Sequence, residues 1–118
     1  MVDDEAAMRD VSCLSLEVLG AEGHPFEEGG AALEYLTTQD RWRDIDLVLA
    51  DLTIPKGVGG VELAHELTSR GITVPTAGMS GYLARCDVPI TDQGLVGLLA
   101  KPFDMHELHN FVDAMLAL

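Results

Sequence analysis

The sequence predicts an α/β fold with a doubly wound parallel sheet. Short apolar runs alternate with segments whose apolar residues recur at helical spacing, a pattern typical of strands joined by crossover helices. The clearest predicted strand lies at the start of residues 45–63. Its apolar run ends at Asp51, and Pro55 and a glycine loop follow. A length of 118 residues suits one core, so we expect residues 1–118 to form one domain.

The start of the chain predicts a helix that almost no strand precedes. Residues 5–19 carry apolar side chains at helical spacing, and Gly20 supplies a stop. Only Met1 and Val2 stand before the acidic pair that opens the helix, whereas a strand usually takes about five residues. We therefore expect the first strand of the sheet to be truncated.

The next part of the chain leads back to the clearest strand. Residues 21–26 are the second predicted strand, weakened by Gly23 and by Pro25, because proline is tolerated only at sheet edges and bulges. Residues 31–36 predict a short helix, and the polar run 37–44 crosses the surface to the strand that ends at Asp51.

The second half predicts a helix at residues 61–67, closed by a glycine, and a fourth strand at residues 72–79. Residues 81–94 show little periodicity, and Pro89 interrupts them, so we expect the helix of this segment to be reduced. Residues 95–100 predict the last strand.

The chain ends in a helix whose start is marked by a capping box. Asp104 and Glu107 stand three residues apart, as an N-cap and its partner do, and apolar spacing continues to Leu118.

Composition excludes several classes of function. A net charge of -13 argues against nucleic acid, since binding a phosphate backbone takes clustered lysine and arginine. No apolar run is long enough to cross a membrane, and the acidic amino terminus is unlike a signal peptide. Cys13 and Cys86 share no metal-ligand spacing, so we expect free thiols and a cytoplasmic protein.

Polar residues follow the predicted strands where each strand ends: Asp3 and Asp4, Asp51, Ser80 and Lys101. Right-handed crossovers bring these ends to one edge of a parallel sheet. Clustered carboxylates suit Mg²⁺, whereas a lysine and a hydroxyl suit a transferred phosphoryl group. Asp51 is the predicted nucleophile, which would form an aspartyl phosphate.

At this point the chain resembles, over essentially its whole length, the receiver domain of two-component response regulators. It is most similar to receivers attached to or paired with hybrid sensor kinases, because its glycine loop is one residue longer than the commonest form and a helix-poor segment follows its Ser-Gly-Tyr element. The motifs that carry the resemblance are Asp3-Asp4-Glu5, Leu52-Thr53-Ile54-Pro55, Gly60-Val61-Glu62-Leu63, Ser80-Gly81-Tyr82 and Lys101-Pro102-Phe103.

The resemblance implies a flavodoxin-like sheet of order 2-1-3-4-5, with the strands numbered along the chain. It implies that Asp51 accepts phosphate from a histidine kinase or a histidine phosphotransfer protein, and that the domain signals rather than acting as an enzyme. Ser80 and Lys101 would contact the phosphoryl group. A cis peptide bond is expected between Lys101 and Pro102. The implied ligands of Mg²⁺ are Asp3, Asp4, Asp51 and the carbonyl of Thr53.

Some features depart from the family pattern. Leu98 occupies a position, three residues before the lysine, where receivers often carry an aromatic switch residue. The truncated first strand would leave an edge on the third strand that invites a second molecule, so homodimerisation or a domain swap is one expected outcome.

Two other functions remain open from the sequence. The first is a degenerate receiver that acts as a phosphorylation-independent interaction module. The second is an aspartate-nucleophile phosphohydrolase, although those enzymes carry a second aspartate where this chain has Thr53. The sequence does not identify a downstream partner.

Overall fold

A computed structural model describes residues 1–81 and 94–117 of the chain. Its sheet has three parallel strands in the order β1-β2-β3: β1 Val48–Asp51, β2 Thr76–Ser80 and β3 Leu98–Ala100. Around it lie four α-helices and a 3-10 helix: α1 Ala6–Val18, α2 Gly29–Thr37, the 3-10 helix Thr38–Asp44, α3 Gly60–Ser69 and α4 Met105–Leu116.

The first two predicted strands are reduced to single parallel bridges, from Val2 to Phe26 on one side and from Val2 to Ala50 of β1 on the other. The Val2 N–H donates to the Leu49 carbonyl at 2.8 Å, and the Asp51 N–H donates to the Val2 carbonyl at 2.8 Å. Val2 therefore lies between the second predicted strand and β1, as the order 2-1-3-4-5 requires.

Both faces of the sheet are covered, as the doubly wound prediction requires. Successive strand residues point to opposite faces, so Val48 and Ala50 pack with α2 and α3 in one cluster. Leu49 packs instead with Leu108 and Val112 of α4 in a second cluster. The strands β1 and β2 are buried throughout, which suits the apolar run that leads to Asp51 in β1 and the mostly small residues of β2.

The predicted helix ends are confirmed in two places. Gly20 and Gly71 adopt positive φ angles of 86° and 72°, which glycine reaches without steric cost, just beyond α1 and α3. At the start of α4 the Asp104 carboxylate accepts a hydrogen bond from the Glu107 N–H at 2.8 Å, as the capping box predicted.

The exposed face of α1 differs from what its apolar spacing suggests. Val11, Leu14 and Val18 define that spacing, yet they are 63%, 64% and 69% exposed. The helix, which packs against α4, instead buries three small side chains: Ser12, Cys13 and Ser15. The small side chains thus take the buried face of α1, and the apolar stripe faces outward.

Other expectations are corrected in extent. The strand predicted at residues 21–26 pairs as a strand only at Phe26, because Pro25 has no N–H to donate and Gly23 packs closely against Cys13. The strand predicted at 72–79 is β2, which begins only at Thr76. Nearly all of segment 81–94, where we expected a reduced helix, lies outside the described residues. Within the described ranges, no helix combines the length and apolar character needed to cross a membrane.

Candidate functional site

Asp51 is the last residue of β1 and lies at the carboxyl edge of the sheet. Its side chain is almost wholly buried, and its Oδ1 atom accepts a hydrogen bond from the Thr53 N–H at 3.0 Å. This local bond fixes the direction of one carboxylate oxygen. The other, Oδ2, faces the neighbouring strands.

Lys101 follows β3 and turns into the same edge, with a cis peptide bond to Pro102 as the sequence predicted. Its Nζ atom donates to Asp3 Oδ2 at 2.6 Å and to Asp51 Oδ2 at 3.0 Å. Burial lowers the pKa of this ammonium, but the two carboxylates outweigh burial together, so its pKa is raised above the ordinary value. Lys101 therefore stays charged and bridges the first strand to β1.

The three predicted acidic residues come together. One carboxylate oxygen from each of Asp3, Asp4 and Asp51 lies within 4.8 Å of the others. Asp3 is fully buried and also accepts the Glu5 N–H at 2.9 Å, whereas Asp4 is exposed. Oxygen ligands of this kind and number suit Mg²⁺, which binds through a few carboxylates and keeps several waters. The residues present thus fit the metal.

Ser80 and Thr53 lie beside this cluster. Ser80 ends β2, is buried, and accepts the backbone N–H of Lys101 at its carbonyl oxygen, at 2.9 Å. Thr53 is exposed, two residues beyond Asp51. The catalytic and metal-binding roles of these residues stay predictions, but all the predicted side chains come from segments that meet at one edge.

Two further residues, for which the sequence predicted no role, make hydrogen bonds that connect the segments around the site. Arg9 donates from Nη1 to the carbonyl oxygen of Asp3 at 2.7 Å, which ties α1 to the acidic segment. The sequence signal of Arg9 was weak: it is the only lysine or arginine among the first 40 residues.

The second is Glu28, the N-cap of α2, whose carboxylate accepts the backbone N–H groups of Gly30, Ala31 and Val58. These bonds, with the one from Val58 the strongest influence, lower the pKa of Glu28. Val58 belongs to the loop after Asp51, so Glu28 joins that loop to α2. No local sequence pattern predicts this contact, because the partners are 30 residues apart.

Comparison with known proteins decides the family. The sequence profile of the response regulator receiver domain matches residues 1–113. The chain belongs to the response regulator receiver domain family. Receiver domains are the phosphorylated signalling modules of two-component systems, and histidine kinases phosphorylate them.

Receiver domains of known transcriptional regulators resemble this one. A probable transcriptional regulatory protein of Picosynechococcus is 30% identical over 112 residues, covering 92% of this chain and 44% of that protein. The alkaline phosphatase synthesis transcriptional regulatory protein SphR of Synechococcus elongatus is 31% identical over 114 residues, covering 92% and 44%. The receiver thus spans less than half the length of these two relatives.

Solved receiver structures confirm the fold. The receiver domain of NtrX from Brucella abortus superposes with a TM-score of 0.83 at 23% identity, covering 98% of this chain and 95% of that chain. The chemotaxis protein CheY4 from Vibrio cholerae gives a TM-score of 0.79 at 21% identity, covering 97% and 93%.

Proposed function

We propose that this receiver accepts a phosphoryl group from a phosphohistidine onto Asp51, with Mg²⁺ bound, and in response alters a surface that a protein partner reads. The observation that carries the proposal is the position of Lys101, whose Nζ atom lies 3.0 Å from Asp51 Oδ2 beside a cluster of three carboxylates. An ammonium at that distance would offset part of the negative charge that a phosphoryl group brings.

The transfer needs one nucleophile and a leaving group. An oxygen of the Asp51 carboxylate attacks phosphorus, a P–O bond forms, and the P–N bond to the donor imidazole breaks. The imidazole leaves with the bonding electron pair and takes up a proton. Lys101 and Ser80 would then hold the phosphoryl oxygens, the lysine by charge and the serine through its hydroxyl.

Asp3, Asp4, Asp51 and the Thr53 carbonyl would hold Mg²⁺ in this proposal. The ion would supply positive charge beside the phosphoryl oxygens, where negative charge spreads during transfer. Arg9 supports the set, because it fixes the backbone of Asp3 through a 2.7 Å hydrogen bond.

The exposed stripe of α1, formed by Val11, Leu14 and Val18, is the proposed docking surface for the phosphodonor. Val11 and Phe103 line one groove of about 270 Å³ between α1 and the start of α4, and Phe103 lies two residues beyond Lys101. Ser12 also lines this groove although it is fully buried, and its Oγ atom has no hydrogen-bond partner among the described residues. An apolar helix of a histidine phosphotransfer protein or kinase fits such a stripe and reaches the acidic site.

Phosphorylation would signal through added charge. A phosphoryl group brings negative charge and acceptor oxygens to the edge formed by β1, β2 and β3, which would bias the segments that follow Ser80 and Lys101. The response is a population shift, which requires the phosphorylated and free forms to favour different arrangements of the partner surface.

Incubation with Mg²⁺ and acetyl phosphate tests the nucleophile. We expect a base-labile phosphorylated species in the wild type and none in Asp51→Asn. Asp44→Asn, a substitution of an exposed carboxylate outside the cluster, is the matched control and should be labelled like the wild type. Equal labelling of the wild type and Asp51→Asn would contradict the proposal.

One observation favours the second candidate, an interaction module that works without phosphorylation. Lys101 already pairs with both Asp3 and Asp51 through two short ion pairs, so a protein group offsets part of the cluster's negative charge without a metal. Calorimetric titration with Mg²⁺ separates the two functions. Saturable binding that Asp3→Asn weakens supports the phospho-acceptor, and a chain that binds no Mg²⁺ supports the interaction module.

The proposal also covers the setting in which the receiver works. We place it in the cytoplasm and assign it no nucleic-acid contact of its own, since the chain carries a net charge of -13. We also predict homodimerisation or a domain swap through the edge of β1 on which Val2 lies. Sedimentation analysis of the chain tests this prediction.

A further inference from the structure

Leu52 occupies an unusual place between two residues of the proposed site. It follows Asp51 and precedes Thr53, and its backbone N–H donates to the Met79 carbonyl of β2 at 2.9 Å. Its side chain is partly buried, although it belongs to the loop and to no strand or helix.

The Leu52 side chain lies in a slot that two glycines form. A Cβ atom on Gly78 of β2 would lie 2.7 Å from Leu52 Cδ2, and one on Gly60 at the start of α3 would lie 2.9 Å from the same atom. Real Cβ contacts are almost never that short, so a side chain at either position would have to displace Leu52.

Leu98 of β3 also lies close to Gly78. It pairs with Gly78 across the parallel ladder, and its Cδ2 atom would lie 2.9 Å from a Cβ on that glycine. Leu52 therefore packs against Gly60 of α3 and Gly78 of β2, and Leu98 of β3 lies against the same glycine of β2. Two of these elements lead directly into the site, because β2 ends at Ser80 and β3 precedes Lys101.

From this packing we infer that Leu52 is a positioning residue, whose side chain, held between Gly60 and Gly78, fixes the backbone that carries Asp51 and Thr53. The Thr53 N–H holds Asp51 Oδ1 at 3.0 Å, so a rotation of the backbone at Leu52 would move the proposed nucleophile and the proposed carbonyl ligand together. The inference rests on the proposed function, since positioning matters only if Asp51 accepts phosphate.

The size match between Leu52 and Gly78 gives a direct test. Leu52→Ala empties the slot and Gly78→Ala fills it, so each single variant should slow phosphorylation of Asp51 by acetyl phosphate about tenfold. The double variant should be faster than either single variant, because the added methyl group occupies space that the shortened side chain vacates. Leu52→Met, which nearly conserves the volume, should stay within about twofold of the wild type.

Leu33→Ala is the matched control, because Leu33 is a partly buried leucine on α2 that packs against the core cluster of Val48 and Ala50. Circular dichroism should show that every compared variant is folded, and Leu33→Ala should be phosphorylated at the wild-type rate. If Gly78→Ala does not fold, the contrast between Leu52→Ala and Leu52→Met decides the matter alone.

Two results would overturn the inference and leave the proposed function intact. In the first, Leu52→Ala is phosphorylated at the wild-type rate. In the second, the double variant is slowed by the product of the two factors by which the single variants are slowed. A wild-type chain that accepts no phosphoryl group overturns the proposed function and this inference with it. The first two outcomes are seen only against an active wild type, so the two failures are distinguishable.

Discussion

The Lys101 ammonium lies 3.0 Å from the Oδ2 atom of Asp51, although 50 residues separate the two along the chain. The same ammonium lies 2.6 Å from Asp3 Oδ2. One cation thus holds together the ends of three segments, namely the amino terminus, β1 and β3. Its loss would leave two buried carboxylates facing each other without a counter-charge.

Lys101→Met should destabilise the metal-free chain by about 2 kcal/mol, because it removes the charged partner of two carboxylates and leaves their repulsion. Mg²⁺ should restore more stability to this variant than to the wild type, since a cation replaces the lost ammonium. Thermal unfolding with and without Mg²⁺ measures both effects. An unchanged melting temperature and an unchanged response to Mg²⁺ would show that the ion pairs contribute nothing.

Glu28 should make stability depend on pH in the acid range. Its pKa is lowered in the folded chain by the N–H groups of Val58, Gly30 and Ala31, so folding favours the charged carboxylate. The stabilisation is therefore complete above the ordinary pKa of 4.5 and is lost as the pH falls through the lowered value. Glu28→Gln should cost about 1 kcal/mol at neutral pH and much less near pH 3.

Denaturant unfolding of the wild type and Glu28→Gln at several pH values tests this prediction. Glu27→Gln is the control, because Glu27 is the exposed neighbour of the N-cap, and it should show a smaller difference at neutral pH. A difference between Glu28→Gln and the wild type that grows as the pH falls would refute the sign of the effect.

Arg9→Ala should weaken Mg²⁺ binding several-fold, because Arg9 holds the carbonyl of Asp3 and so orients the acidic segment. A hydrogen bond from a charged donor also stabilises the fold by about 1.5 kcal/mol. Arg70→Ala is a matched control, since Arg70 pairs with the half-exposed Glu66 one helical turn away, a contact worth about 0.4 kcal/mol. Equal Mg²⁺ affinities for the two variants would mean that Arg9 does not organise the site.

Leu14→Gln should slow phosphotransfer from a protein while leaving phosphorylation by acetyl phosphate unchanged. Leu14 is 64% exposed at the centre of the α1 stripe and does not touch the acidic cluster. Leu116→Gln, at an exposed leucine of α4, is the control. The donor is a phosphorylated histidine phosphotransfer protein chosen because it phosphorylates the wild type. If Leu14→Gln slows neither reaction, or slows both equally, the docking surface lies elsewhere.

The position of the candidate site at one edge of the sheet was predictable from the sequence, because polar residues stand where the predicted strands end. Asp51, Ser80 and Lys101 each follow a short apolar run, and parallel strands bring such ends together. The first predicted strand is present in the structure as single bridges at Val2. Val2 nevertheless pairs on both sides, so that Asp3 is fully buried and reaches Lys101.

Other features depend on contacts that no local pattern encodes. The hydrogen bond between Glu28 and Val58 and the slot around Leu52 join segments that are distant in sequence, and each needs the folded loop to exist. The outward stripe of α1 was missed for a related reason. Apolar spacing identifies a helix but does not say which face packs, and here small residues such as Ser12 take the buried face.

The most direct test of the central claim is the chemical identity of the phosphorylated residue. Borohydride reduces an aspartyl phosphate to homoserine, which tandem mass spectrometry locates in the sequence. After treatment with acetyl phosphate and Mg²⁺, we predict homoserine in place of Asp51 and at no other carboxylate. Homoserine at a different aspartate, or none in a chain that remains folded and binds Mg²⁺, would contradict the assignment of Asp51 as the phosphoryl acceptor.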